Sequence, residues 1–170
     1  FINSYYPLLP IPHVSLNDKM AGYKAAKYLL DCGHRKIGGI FKLDDGQGHL
    51  RYAGYLEALK EAGMEEDDSH IIWVDTVGMM NLEECRDMIL NRFGSCSAVV
   101  CISIVSVDDS ELTVLSDVAL TSIPHPMDRL GEKAALNLLQ MIENPAFDAT
   151  YEFEAQIVVR DSVRILDGRQ

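Results

Sequence analysis

Three short segments carry side chains able to bind a ligand or take part in chemistry. The string KLDDGQGHLR, residues 42–51, offers Lys42, Asp44, Asp45, Gln47, His49 and Arg51 within one polar, glycine-rich stretch. Asp108 and Asp109 form an adjacent acidic pair. His125 stands between Pro124 and Pro126, whose fixed φ angles hold it in an extended segment, and Met127 follows. Lys42 and Arg51 donate hydrogen bonds, the carboxylates accept them, Gln47 and His125 do both, and Tyr5 and Met127 supply stacking surfaces. Vicinal hydroxyls each donate and accept, so this set suits a polyol or sugar. Plainer roles stay open: a solvated loop with a capping Asp, a turn cap at Asp108-Asp109, and a surface His125. An acidic pair completed by Asp75 and Lys42 could instead hold Mg²⁺, as in a receiver or phosphohydrolase.

Other chemistries lack their motifs. The sequence contains no G-x-S-x-G elbow, no HExxH and no P-loop, and the Gly46-Gln47-Gly48 turn lacks the third glycine and later acid of a dinucleotide site. Cys32, Cys85, Cys96 and Cys101 form no CxxC pair and share no zinc spacing with histidines, so they read as small apolar residues of a reducing compartment. No metal and no cofactor are expected.

The elements that must position these residues alternate between two periods. A short strand over 13–16 leads into a helix capped by Asn17 or Asp18, with Ala21, Ala25, Tyr28 and Leu29 at helical spacing and Gly33 at its end. KIGGIF is a buried strand, followed by the polar loop and a helix from 50 to 62 closed by Gly63. IIWVD, a helix over 82–93 and SAVVC repeat the pattern, which predicts a parallel sheet covered by helices on both faces. SAVVCISIVSV then runs on as strand with no crossover. Parallel neighbours need a connection of about a dozen residues, so a helix and loop are expected to be absent between Cys101 and Ile102, with one long bent strand as the alternative. A helix over 127–143 shows the stripe Leu130, Ala134, Leu138 and Met141, and Asn144-Pro145 stops it. The alternation over 151–159 predicts a final edge strand.

Composition sets the bounds. The 170 residues are 48% hydrophobic and 24% charged, enough for a domain with a core and unlike a disordered or collagenous chain. With 15 basic against 26 acidic residues the formal charge is −11, which repels a phosphate backbone, so this chain alone is not expected to bind DNA. No apolar run reaches the roughly 18 residues of a membrane span. Phe1 stands where an initiator Met would, and the sequence reads as a fragment.

HVSLND with AAKYLLDCGHRKIGGI, RYAGYLEAL, IVSVDDSEL, LTSIPHPMDRLGEKAALNLL and the terminal IVVRDSV resemble, in that order, the effector-binding domain of lactose-repressor/galactose-repressor (LacI/GalR) family transcription regulators. FINSYY and IFKLDDGQGHLRYAGY resemble the arabinose-repressor branch of that family. The resemblance implies an α/β, type I periplasmic-binding-protein-like fold with parallel sheets flanked by helices. It has two subdomains, the N-terminal one incomplete: 1–16 is its remnant, 17–122 the C-terminal subdomain, 123–150 the return, and 151–170 the C-terminal subdomain's final strand and tail. Arg51 matches the family arginine that reaches sugar hydroxyls, and Asp108 the first acid of a hydrophobic-Asp-Asp motif in the cleft. Asn3, with Tyr5 near it, matches a polar strand end of the other subdomain. His125 and Met127 fall on the segment lining the cleft, and Lys42 and Gln47 on the loop of the arabinose branch.

The implied function is sugar sensing and dimerisation in a bacterial transcriptional repressor. The effector is a pentose such as L-arabinose, the homodimer is cytoplasmic, and operator DNA is bound only through a helix-turn-helix domain outside this chain. A transport-system sugar-binding protein of the same fold is the alternative. The family's first N-terminal strands and its Asn-Asp segment after Cys101 have no match here.

Overall fold

The structure is a computed structural model and describes residues 1–4, 8–78, 82–101 and 117–166. Its elements in chain order are β1 (Val14–Leu16), α1 (Asp18–Asp31), β2 (Ile37–Lys42), α2 (Gly46–Glu61), a 3-10 turn (Asp68–His70), β3 (Ile71–Val74), α3 (Leu82–Phe93), β4 (Ala98–Cys101), α4 (Met127–Glu143) and β5 (Tyr151–Phe153). They form two parallel sheets, β3-β2-β4 and β1-β5.

β2 is central, and its residues point alternately to two layers. Ile37 and Phe41 join the apolar cluster under α1 and α2, while Ile40 joins Ile72, Val74 and Phe93 on the α3 side. Burial on both faces explains why KIGGIF is almost wholly apolar rather than alternating. Gly38 leaves room for Phe93: a Cβ there would sit 2.5 Å from its ring. Asn17 caps α1 by accepting the Met20 N–H at 2.9 Å, and Gly33 ends the helix at φ +92°, where a side chain would strain the backbone.

The smaller sheet pairs Val14 with Tyr151 and Leu16 with Phe153, and α4 packs near it. Ser122 and Val158 form an isolated antiparallel bridge, and Thr121, Ser122 and Ile123 are fully buried. Arg160 ties the crossing together by donating to the Leu120 carbonyl and the Ser122 hydroxyl.

Three expectations are corrected. α2 begins at Gly46 instead of 50, because Asp45 caps it by accepting the Gly48 N–H at 2.7 Å; Gln47 and His49 therefore lie in the first helical turn, not in a loop. The strand expected over 151–159 is only Tyr151–Phe153. It pairs with β1 and not with the β3-β2-β4 sheet. Further on, the tail docks beside β4 and α1, with His34 against the Arg164 carbonyl and the Leu166 N–H donating to Cys32. The α4 stripe is buried only at Leu130; Leu138 is 57% exposed, since the described part of the small sheet is too narrow to cover the helix. The junction after Cys101 lies outside the described residues.

Candidate functional site

The carboxyl ends of β1 and β2 open onto one cleft of about 390 Å³, in the place where ligands bind in open α/β sheets. One wall is the turn from β1 into α1, with Ser15, Leu16, Asn17, Asp18 and Lys19. The opposite wall is the turn from β2 into α2, with Asp44, Asp45, Gly46, Gln47 and Leu50. Ser4 and Glu152 close it from the smaller sheet. Both helices thus present their first turns, where backbone amides lack intrahelical partners, although side-chain caps already occupy the Met20 and Gly48 amides.

Of the residues expected at a ligand site, the structure brings Gln47 and Asn3 together. Gln47 Nε2 donates to the Asn3 carbonyl and to Asn3 Oδ1, both at 3.1 Å, joining α2 to the segment paired with β1. Asn3 adopts φ +57°, a left-handed conformation that Asn tolerates better than most residues. Lys42 lies outside the cleft wall and faces Asp45 at 3.3 Å and Asp44 at 3.6 Å. Arg51 lies one turn beyond Gln47, behind the wall. Its Nε donates to Asp18 Oδ1 at 2.8 Å, and Nη2 lies 2.7 Å from the same oxygen in a nearly dry ion pair. His125 is half-buried and Met127 is 61% exposed at the start of α4; neither lines this cleft. Tyr5, Asp108 and Asp109 lie outside the described residues.

Asp18 and Glu152 were not singled out as ligand groups from the sequence. Asp18 could have been found by inspecting the residues just past each strand, since it stands two beyond Leu16. Glu152 carries no such signal: it reaches the cleft only through the pairing of β5 with β1, where it accepts from Asn17 Nδ2 at 3.1 Å.

Charge in the cleft is lopsided. Asp18, Asp44, Asp45 and Glu152 line it, whereas Lys19 is spent on Glu57 at 2.6 Å. Burial pushes the Asp18 carboxyl above its ordinary value, and Arg51 pulls the other way. Asp44 is held below the usual carboxylate range because it accepts the Thr76 N–H at 3.0 Å. Asp75, the third acid of the Mg²⁺ alternative, is engaged by the Gly78 N–H at 2.6 Å. Among the described residues no three His, Cys, Asp or Glu side chains gather as a metal site, and no helix is long and apolar enough to cross a membrane.

Residues 101–163 match the family described as periplasmic binding protein-like domain. The arabinose metabolism transcriptional repressor of Halalkalibacterium halodurans is 32% identical over 192 residues, covering 95% of this chain and 51% of that protein. Its namesake from Geobacillus stearothermophilus is 27% identical, covering 96% and 52%. The chain therefore spans about half the length of these relatives. Because 192 aligned positions exceed the chain's 170 residues, the first relative carries residues within the matched span that this chain lacks. Among solved structures, a transcriptional regulator CelR–cellobiose complex superposes with a TM-score of 0.80 at 23% identity, over 94% of this chain and 57% of the other.

Proposed function

We infer that the chain, which has a periplasmic-binding-protein-like fold, is the effector-binding domain of a LacI/GalR-family transcription regulator and that its cleft binds a neutral sugar effector. The observation that carries this reading is the cleft itself, in which acceptors (Asp18, Asp44, Asp45, Glu152) and donors (Asn17, Ser15) line a space sized for a small polyol. Lys19 is paired with Glu57, Arg51 with Asp18, and Lys42 faces Asp44 and Asp45, so the cations at and behind the cleft wall are already engaged, which disfavours phosphorylated sugars and nucleotides. The names of two relatives, both arabinose metabolism transcriptional repressors, support a pentose such as L-arabinose as the effector.

On this reading the two sheets belong to two lobes. Residues 1–16, 123–150 and β5 form one, and 17–122 with the terminal tail form the other. A sugar favours whichever lobe arrangement binds it more tightly, and in a cytoplasmic homodimer that shift would alter operator binding by a DNA-binding domain elsewhere in the protein. Tyr5, Asp108, His125 and Met127 retain a proposed ligand role in an arrangement that brings the 123–127 segment to the cleft. The extra residues of the relatives are assigned to the junction of Cys101 and Ile102.

Calorimetry on the chain tests this with L-arabinose, D-xylose, D-ribose and D-ribose 5-phosphate. Saturable heat with a neutral pentose and none with the phosphate is expected. Binding of the phosphorylated sugar alone would overturn the reading.

A further inference from the structure

We propose that Asp18 is the residue that selects the bound sugar, with Oδ2 accepting a hydrogen bond from a ligand hydroxyl while Arg51 holds Oδ1. This rests on reading the cleft as a sugar site. Arg51 brings Nε and Nη2 to the same carboxylate oxygen, at 2.8 and 2.7 Å, instead of spanning both oxygens. Oδ2 therefore forms no hydrogen bond or ion pair among the described residues, although Asp18 is only 4% exposed and lines the cleft. A carboxylate oxygen already stripped of most of its water, and left without a donor, is a strong acceptor for an O–H group and rejects any anion.

The carboxylate is also fixed in place. Its backbone opens α1, which Asn17 caps, and its partner stands on α2. The two helices meet backbone to backbone at Gly22, where an added Cβ would lie 1.9 Å from the Arg51 carbonyl oxygen. A rigid acceptor discriminates between epimers because inversion at one carbon carries the hydroxyl out of its reach, leaving the buried oxygen unpaired. Arg51 is thus a positioning residue acting through Asp18, and its alignment with the family arginine implies no direct contact with sugar in this arrangement.

Calorimetry on the chain with the eight aldopentose stereoisomers, and with monodeoxy analogues of the tightest binder, tests the assignment. In the unsubstituted protein, one deoxygenation is expected to cost about 10- to 100-fold in affinity, the range of a hydrogen bond to a charged acceptor. Asp18→Asn should flatten the ranking of the pentoses to within about threefold. Asp18→Asn with Arg51→Gln, which leaves no uncompensated buried charge, should give the same flat ranking.

An unchanged ranking in the folded Asp18→Asn protein, including uniform weakening that preserves the order, overturns the role of Asp18 and leaves the sugar site standing. Should neither variant fold, the deoxy series decides: if every deoxygenation costs less than about threefold, the proposal is overturned. If the unsubstituted protein binds no pentose, the sugar reading falls and this inference with it.

Discussion

Gly22 of α1 lies directly against the carbonyl of Arg51 in α2, and Gly54 of α2 lies just as closely against the carbonyl of Lys19 in α1. Each would put an added Cβ at 1.9 Å from the facing oxygen, so the helices cross with no side chain between them at either point. Both glycines sit in the same tripeptide, Ala-Gly-Tyr, at 21–23 and 53–55.

Gly22→Ala should therefore destabilise the chain by about 3 kcal/mol, because the obstacle is backbone and cannot rotate away. It should also weaken the proposed sugar binding, by moving Arg51 and hence Asp18. Urea denaturation read from the fluorescence of Trp73, the sole tryptophan, checks the first effect. A stability unchanged to within about 0.5 kcal/mol would show that the helices separate freely.

Asp45→Ala should cost about 1 kcal/mol by removing the acceptor of the Gly48 N–H, whereas Asp45→Asn, which caps nearly as well, should cost a few tenths. Thermal melts of the two variants compare them directly. Equal losses would mean that the carboxylate charge, rather than the cap, is what matters there.

Gln47→Ala should leave the melting temperature within a few degrees of the unsubstituted value, since it removes one partly exposed hydrogen-bonding side chain. Residues 1–4 should nevertheless lose protection in hydrogen exchange, because the tie from α2 to Asn3 is gone. Unchanged protection would show that pairing with Val14 holds the segment unaided.

Acidification should destabilise the chain across the carboxylate range. Asp44, Asp67 and Asp148 are held below their ordinary values by hydrogen bonds from Thr76, Ser69 and Thr150, and Glu154 by the Lys24 ammonium. The folded state then binds fewer protons than the unfolded one, so stability present above the ordinary carboxylate pKa is lost as pH falls through the lowered values. Asp18, raised by burial, has the opposite sign and offsets part of the loss. Melting temperature should hold steady down to about pH 5 and fall toward pH 3, and Glu154→Gln should shrink the fall. A melting temperature that rises between pH 5 and 3 would mean that Asp18 outweighs the other four.

Local spacing was enough for most elements. The apolar period and end signals placed α1, α3 and α4, because a cap, a C-terminal glycine and a stripe are all written within one helix. α2 was read four residues short, since Gly46 and Gly48 look like loop until their reason is seen: Gly48 lies against the Lys42 carbonyl, where a Cβ would fall at 2.0 Å. The strand expected over 151–159 was too long because alternation reports which residues face inward, and pairing with β1 ends at Phe153.

By itself, then, the sequence determined an α/β chain of strand-helix units, a polar turn after β2, and the residue types of the proposed polyol site. Those properties depend on neighbours within a turn or two of chain. Only the tertiary structure decided that Arg51 would turn inward to Asp18, 33 residues earlier, and that Glu152 would enter the cleft from the far end of the chain. The reason is that a guanidinium on a helix's inner face cannot stay unpaired once it is dry. The carboxylate that satisfies it is set by how two helices cross, which no spacing along either one records.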